Sequence, residues 1–148
     1  MKQIVLSLLV DNNPGVLARV ASLFSRRGYN IDSLSAGVTD SPKYTRITVA
    51  VSGDDQILEQ IRNQIQKLEE VRRIIVLDDK ESVCRELVLV KVMADKKEKQ
   101  DIIAIADVFR AKLVDVSMES VMIELTGNQN KLDAFLNLLS DYEGLELV

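Results

Sequence analysis

The apolar residues of this chain pass through one order of periods twice, the two copies lying about 75 to 85 residues apart, and this duplication limits the fold more than any single motif. In the first copy Ile4, Leu6, Leu8 and Val10 alternate with Val5, Ser7 and Leu9, which predicts a strand over 4–10 whose second face is also partly covered. Val16, Leu17, Val20, Leu23 and Phe24 then recur at helical spacing, with Asn13 read as the N-cap, Pro14 as the first helical residue and Gly28 as the C-cap. Segments 31–39 and 44–52, separated by DSPK at 40–43, read as a hairpin. Asp54 and Asp55 open a second helix striped by Ile57, Leu58, Ile61, Ile65 and Leu68, and 71–77 supplies a last strand.

After the charged stretch DDKES at 78–82 the order begins again. Residues 86–93 read as a strand, and Ile102, Ile103, Ala106 and Phe109 stripe a helix. Residues 113–117 and 121–125 make a hairpin, Leu132, Phe135, Leu136 and Leu139 stripe a helix after the turn GNQN at 127–130, and 145–148 closes the copy. A repeat this long is far from a solenoid unit. It predicts an α+β chain of two tandem ferredoxin-like βαββαβ domains, at 1–78 and 86–148, joined by a polar linker at 79–85. Such a domain lays two helices on one face of a four-stranded antiparallel sheet and leaves the other face bare. Val5, Leu9, Ala36, Val38 and Ala50, and later Val88, Val90, Val114 and Met122, are assigned to those bare faces. Apolar area of that kind predicts a partner surface, most simply a homodimer whose sheets join edge to edge or stack.

Composition removes several classes of function. A chain of 148 residues with 47% hydrophobic content can build packed cores, yet no stretch is long and apolar enough to span a bilayer. The N-terminus MKQIVLSLLVDN meets a charge and a turn too early for a signal peptide, so the cytoplasm is expected. Cys84 is the single cysteine and histidine is absent, which excludes an internal disulfide and leaves little from which to build a metal site. A net charge of -4, with both signs mixed along the chain, offers no field for nucleic acid or an anionic membrane.

The stretch DNNPGVLARV at 11–20 raises the functional question. Glycine inside a helix costs about 1 kcal/mol against alanine, so Gly15 calls for a reason. The turn Asn12, Asn13, Pro14, Gly15 presents backbone N–H groups at the positive end of a helix, and a residue without Cβ lets a carboxylate come close. The alternative is a good helix start and nothing more. Neutral amides at Asn12 and Asn30 can pair with both ends of a zwitterion. Val16, Leu17, Ile31 and Val38 suit a branched aliphatic side chain, or belong to the core. Together these residues predict an amino-acid pocket, with Asn30 near an edge that a symmetry mate could reach. The corresponding turn of the second domain, ADKKEKQ at 94–100, lacks Gly and Pro and reads as a solvated basic face.

The pieces of a nucleophile-and-base system are missing: no histidine can act as base, and Cys84 lies in the linker. One enzyme reading survives on topology, an acylphosphatase-like hydrolase that also cradles an anion in the turn after the first strand, but it calls for an arginine in that turn, whereas Arg19 lies a helical turn further on. RNA binding on the sheet needs stacking aromatics, and only Tyr44 comes near that role.

The segment LLVDNNPGVLARVASLFSRRGYNIDSLSAG at 8–37 closely resembles the ACT domain of the small, regulatory subunit of acetolactate synthase, also called acetohydroxyacid synthase. ELVLVKV at 86–92 and KLDAFL at 131–136 look like the C-terminal domain of that family, so the resemblance covers essentially the whole chain; the family often runs a short tail beyond this point. The resemblance implies a non-catalytic subunit that binds a thiamine-diphosphate-dependent catalytic subunit, raises its activity and confers feedback inhibition by a branched-chain amino acid, usually valine. It implies an effector site made of Asn12, Gly15, Val16 and Leu17 of one chain with Asn30 and Ile31 of the dimer mate. Thiamine diphosphate, magnesium and FAD would belong to the catalytic subunit, with no cofactor in this chain. An amino-acid sensor serving another enzyme shares the pocket but not the partner.

Overall fold

The structure, a computed structural model, describes residues 2–142 and 144–147. The first unit runs β1 (Lys2–Asp11), α1 (Val16–Arg26), β2 (Ile31–Val38), β3 (Tyr44–Gly53), α2 (Asp55–Gln66) and β4 (Val71–Leu77). The second runs β5 (Glu86–Met93), α3 (Lys96–Phe109), β6 (Lys112–Val116), β7 (Ser120–Gly127), α4 (Gln129–Leu139) and β8 (Glu146–Leu147). Each forms an antiparallel four-stranded sheet, ordered β2-β3-β1-β4 and β6-β7-β5-β8, which is the ferredoxin-like arrangement twice over. The chain divides into 1–82 and 83–148, so the break falls within the stretch read as linker. Val148, the end of the strand expected at 145–148, lies outside the described residues.

Each unit has its own core because each helix carries one apolar stripe. Val16, Val20 and Phe24 of α1 and Leu58, Ile61 and Ile65 of α2 close over Leu6, Leu8, Val10, Ile47, Val49 and Val51. In the second unit Ile102 and Ala106 of α3 and Leu132, Phe135 and Leu139 of α4 do the same over β5 and β7. Full burial of such a side chain contributes about 1.5–3 kcal/mol. Three of the four helices begin at a side-chain cap. Asp54 accepts from the Ile57 amide, Asn128 from that of Lys131, and Asp95 from those of Lys97 and Glu98, while the Asp95 amide donates to the Glu98 carboxylate. The basic run at 94–100 is therefore a capping box and the first turn of α3, not a loop.

The head of α1 differs from the expected one. Asn13 is not the N-cap and Pro14 is not helical; the helix begins at Val16, with Gly15 as its cap at φ 84° and no side chain capping it. That left-handed backbone turns the chain before the helix can start, so Pro14 stays in the turn, and it accounts for the glycine directly. At the other end Arg27 is the cap and Gly28, at φ 70°, follows it. The Tyr29 amide donates to Phe24 O at 3.0 Å and the Gly28 amide to Ser25 O at 3.2 Å, a Schellman pair that leads straight into β2.

Residues paired across a ladder share a face, and the register sorts the apolar positions. Val5, Ala50 and Leu9 lie on the bare face of the first sheet, around Ser7, whose hydroxyl accepts from Arg46 Nη1 at 2.6 Å. Ala36 and Val38, however, pair with Ile47 and Thr45 and so lie on the helix side, on an edge strand that projects beyond the core. Val88 and Val90 also belong inside: Val90 is fully buried, and Leu87, Leu89, Lys91 and Met93 take the bare face. Val114 falls at a register shift of β6, while Met122, opposite Lys91, is on the bare face as expected. Both parities of β5 carry apolar residues, and the one mark within it of the outer set is the charge of Lys91.

Arg72 of β4 grips the end of β1. Its Nε and Nη2 donate to the two carboxylate oxygens of Asp11, each at 2.7 Å, and the hydrogen bond and charge of Arg72 hold the Asp11 carboxyl below its ordinary value of 3.8. A carboxyl lowered in the folded state stabilises above its unfolded pKa and ceases to do so as pH falls through the folded one. Acidification below about pH 4 is expected to lower the melting temperature of the wild type more than that of Asp11→Asn, compared by calorimetry at matched ionic strength.

Candidate functional site

The corner at the head of α1 is built from three segments distant in sequence. The Asn12 backbone amide donates to Lys43 O at 2.9 Å, its side-chain Nδ2 donates to Pro42 O at 2.9 Å, and Thr45 Oγ1 donates to Asn12 Oδ1 at 3.1 Å. Thr45 in turn pairs with Val10 and with Val38. Asn12 thus fastens the β1–α1 turn to the β2–β3 hairpin and keeps one side-chain N–H and one lone pair free for a ligand. Pro42 and Thr45 are part of this corner although sequence reading did not single them out; they act through contacts some thirty positions away, for which the local pattern holds no signal.

Asn12, Asn13, Pro14 and Gly15 are all exposed, and a Cβ built on Gly15 meets nothing within 4 Å. Space above the turn is therefore open to solvent. The Val16 amide donates to Asn13 O at 3.4 Å, and with no side chain capping α1 the next amides and its positive end stay open to this space, an arrangement able to receive a carboxylate. Leu17 beside it is 45% exposed and Val38 60% exposed, with Leu34 further along the edge. Val16 instead points into the core, at 3% exposure.

The remaining two residues are elsewhere. Both β1 and β2 run antiparallel to β3; Val38 pairs beside Thr45 at the Asn12 end, while Ile31 pairs with Val51 at the other end, next to Ile4. Seven strand positions separate Ile31 from Val38, about 23 Å at 3.3 Å per residue. One chain brings together Asn12, Asn13, Pro14, Gly15, Leu17 and Val38; it does not bring Asn30 and Ile31 to them.

Other chemistries find less here. Arg19, the residue an anion-cleaving turn would need, is ion-paired with Glu70 at 2.6 Å. Tyr44 is opposite Asp11 at the end of the first sheet. Among the described residues no cluster of three carboxylates or thiols could hold a metal, no helix is long and apolar enough to cross a membrane, and Cys84 is exposed at the start of the second unit.

Residues 6–73 match the family model for the AHAS small subunit-like ACT domain, and residues 85–148 match that for the small subunit of acetolactate synthase. The acetolactate synthase small subunit of Mycobacterium bovis is 50% identical over 137 residues, covering 93% of this chain and 82% of that protein. A probable acetolactate synthase small subunit of Archaeoglobus fulgidus is 44% identical over 142 residues, covering 96% and 89%. The crystal structure of the acetolactate synthase small subunit from Thermotoga maritima superposes with a TM-score of 0.90 at 40% identity, covering 100% of this chain and 94% of that one. With two matched halves, close relatives over nearly all its length and the same fold, the chain belongs to the acetolactate synthase small subunit family and is a regulatory rather than a catalytic subunit.

Proposed function

We propose that this chain associates with the catalytic subunit of acetolactate synthase, raises its activity, and makes it sensitive to a branched-chain amino acid, valine foremost. The reading rests chiefly on the uncapped head of α1, which stands beside an edge strand with no partner on its outer side. In this reading two protomers pair along β2. An antiparallel pairing about a twofold axis near Leu34 sets Asn30 of one protomer beside Val38 of its partner, and so completes the pocket that a single chain leaves in halves. The effector carboxylate meets the head of α1, its ammonium meets side-chain amide oxygens, and its aliphatic end lies against Leu17, Val38 and Ile31. Two such pockets arise by symmetry.

Inhibition follows from the difference in valine affinity between two arrangements of the dimer, since equal affinity would shift nothing. A coupling of about 1–3 kcal/mol is the usual scale. Thiamine diphosphate, magnesium and FAD reside on the catalytic subunit, and the complex works in the cytoplasm. Calorimetry of the purified chain with valine, leucine and isoleucine, joined to light scattering and an acetolactate assay with the catalytic subunit, tests all of this. Saturable valine binding by a dimer, with activation reversed by valine, is the expected result; a monomer that binds none of the three overturns the reading.

A further inference from the structure

A groove of about 340 Å³ lies between the tail of α1 and the end of α2, apart from the effector corner. Leu23 and Leu68 form its apolar floor, and Arg19, Arg26, Arg27 and Lys67 stand around it. Arg19 is neutralised by Glu70, but among the described residues Arg26, Arg27 and Lys67 make no ion pair. Arg26 and Arg27 stand at the C-terminus of α1 and Lys67 at that of α2, where each helix dipole favours a cation. The two helix ends meet at this groove, so three cations without ion pairs gather there and make it locally basic in a chain of net charge -4.

We propose that this groove docks an acidic segment of the catalytic subunit, with an apolar residue of that segment seated on Leu23 and Leu68. The proposal rests on the regulatory reading above. Charge complementarity selects an acidic occupant, and arginine beside an apolar floor is the side chain best suited to anchor one, because its planar fork meets a carboxylate through two hydrogen bonds. A second copy of this chain is not the occupant, since pairing along β2 uses the sheet edge and leaves the outer surface of the helix layer open. The position also supplies a route for regulation. Helix α1 is one uninterrupted 11-residue element, about 16 Å long, whose head forms the effector corner and whose tail walls the groove. Its tail is bonded directly into the start of β2 through Tyr29 and Gly28, so a ligand at the head and a partner at the tail act on the same rigid piece.

The test compares wild type, Arg26→Gln/Arg27→Gln and Arg26→Glu/Arg27→Glu by titration against the purified catalytic subunit at several salt concentrations. Valine calorimetry and thermal melts are run on each chain alone. The expected result is about tenfold weaker association for the Gln pair and more for the Glu pair, a shallower salt dependence, and unchanged valine affinity. Equal association of wild type and both variants overturns the groove while leaving the regulatory reading in place. Failure of the wild type itself to associate overturns both. Weaker association accompanied by lost valine binding and a collapsed melt overturns the groove as well, because the arginines then serve the fold. Salt-sensitive self-association of the wild type, abolished in the variants, assigns the groove to a second copy and likewise refutes the proposal.

Discussion

Gly15→Asp is expected to abolish the valine response, weakening valine binding by about 100-fold or more, about 2.8 kcal/mol at 1.4 kcal/mol per decade. Two effects combine at this position and can be separated. The backbone at φ 84° is left-handed, which costs any residue other than glycine about 1–2 kcal/mol, with Asp and Asn tolerating it best. No atom lies within 4 Å of an added Cβ, so the substitution collides with nothing in the chain. The carboxylate itself then decides the outcome: it occupies the open space above the turn and repels the acidic end of the effector, while its charge at a helix head is compatible with folding. Gly15→Ala carries the strain without the charge and is expected to lose about 1 kcal/mol of stability and no more than about tenfold in valine affinity. Valine calorimetry on both variants gives the comparison. Equal losses for Ala and Asp would show that the glycine serves the turn alone, and the effector would then bind elsewhere.

Phe135→Ala is expected to take the second unit to the edge of unfolding. Its ring is fully buried and meets Phe109 edge to face, with centroids 5.3 Å apart and planes at 61°. Truncating a buried phenylalanine costs about 3–5 kcal/mol, part of it the aromatic pair. A unit of this size has only about 3–10 kcal/mol in total, at 0.05–0.15 kcal/mol per residue. Denaturant unfolding followed by circular dichroism is expected to show an early transition for the second unit, while valine binding by the first persists on its separate core. A loss below about 1 kcal/mol would mean that the α3 and α4 packing is not what holds this unit together.

How far the sequence revealed this molecule depended on whether each feature is local. The stripes Val16, Val20, Phe24 and Leu132, Phe135, Leu139 were legible because helical spacing is written in consecutive residues, and the element order followed from them. Gly15 drew attention but for an incomplete reason: a run of residue types does not encode the sign of φ, so the glycine read as helix interior is in truth the turn before it. The faces of β5 were misassigned because both of its parities are rich in apolar residues and a single charge, Lys91, is all that marks the outer set. At the candidate site the Asn12 turn could be named, yet its fastening to Pro42 and Thr45 could not, since that depends on a hairpin thirty positions downstream. That Asn30 and Ile31 lie at the far end of the sheet likewise needed the strand register.

The open flank of β2 has a consequence before any effector is bound. From Ile31 to Val38 it offers a row of unsatisfied backbone groups beside the bare leucine and valine side chains at 34 and 38, with Asp32 its one charge and no proline to deter intruders. A nascent or highly diluted chain therefore carries a template onto which a foreign strand can add. In the pairing along β2 proposed above that flank is covered, and losses to aggregation are expected to grow in a variant that cannot pair.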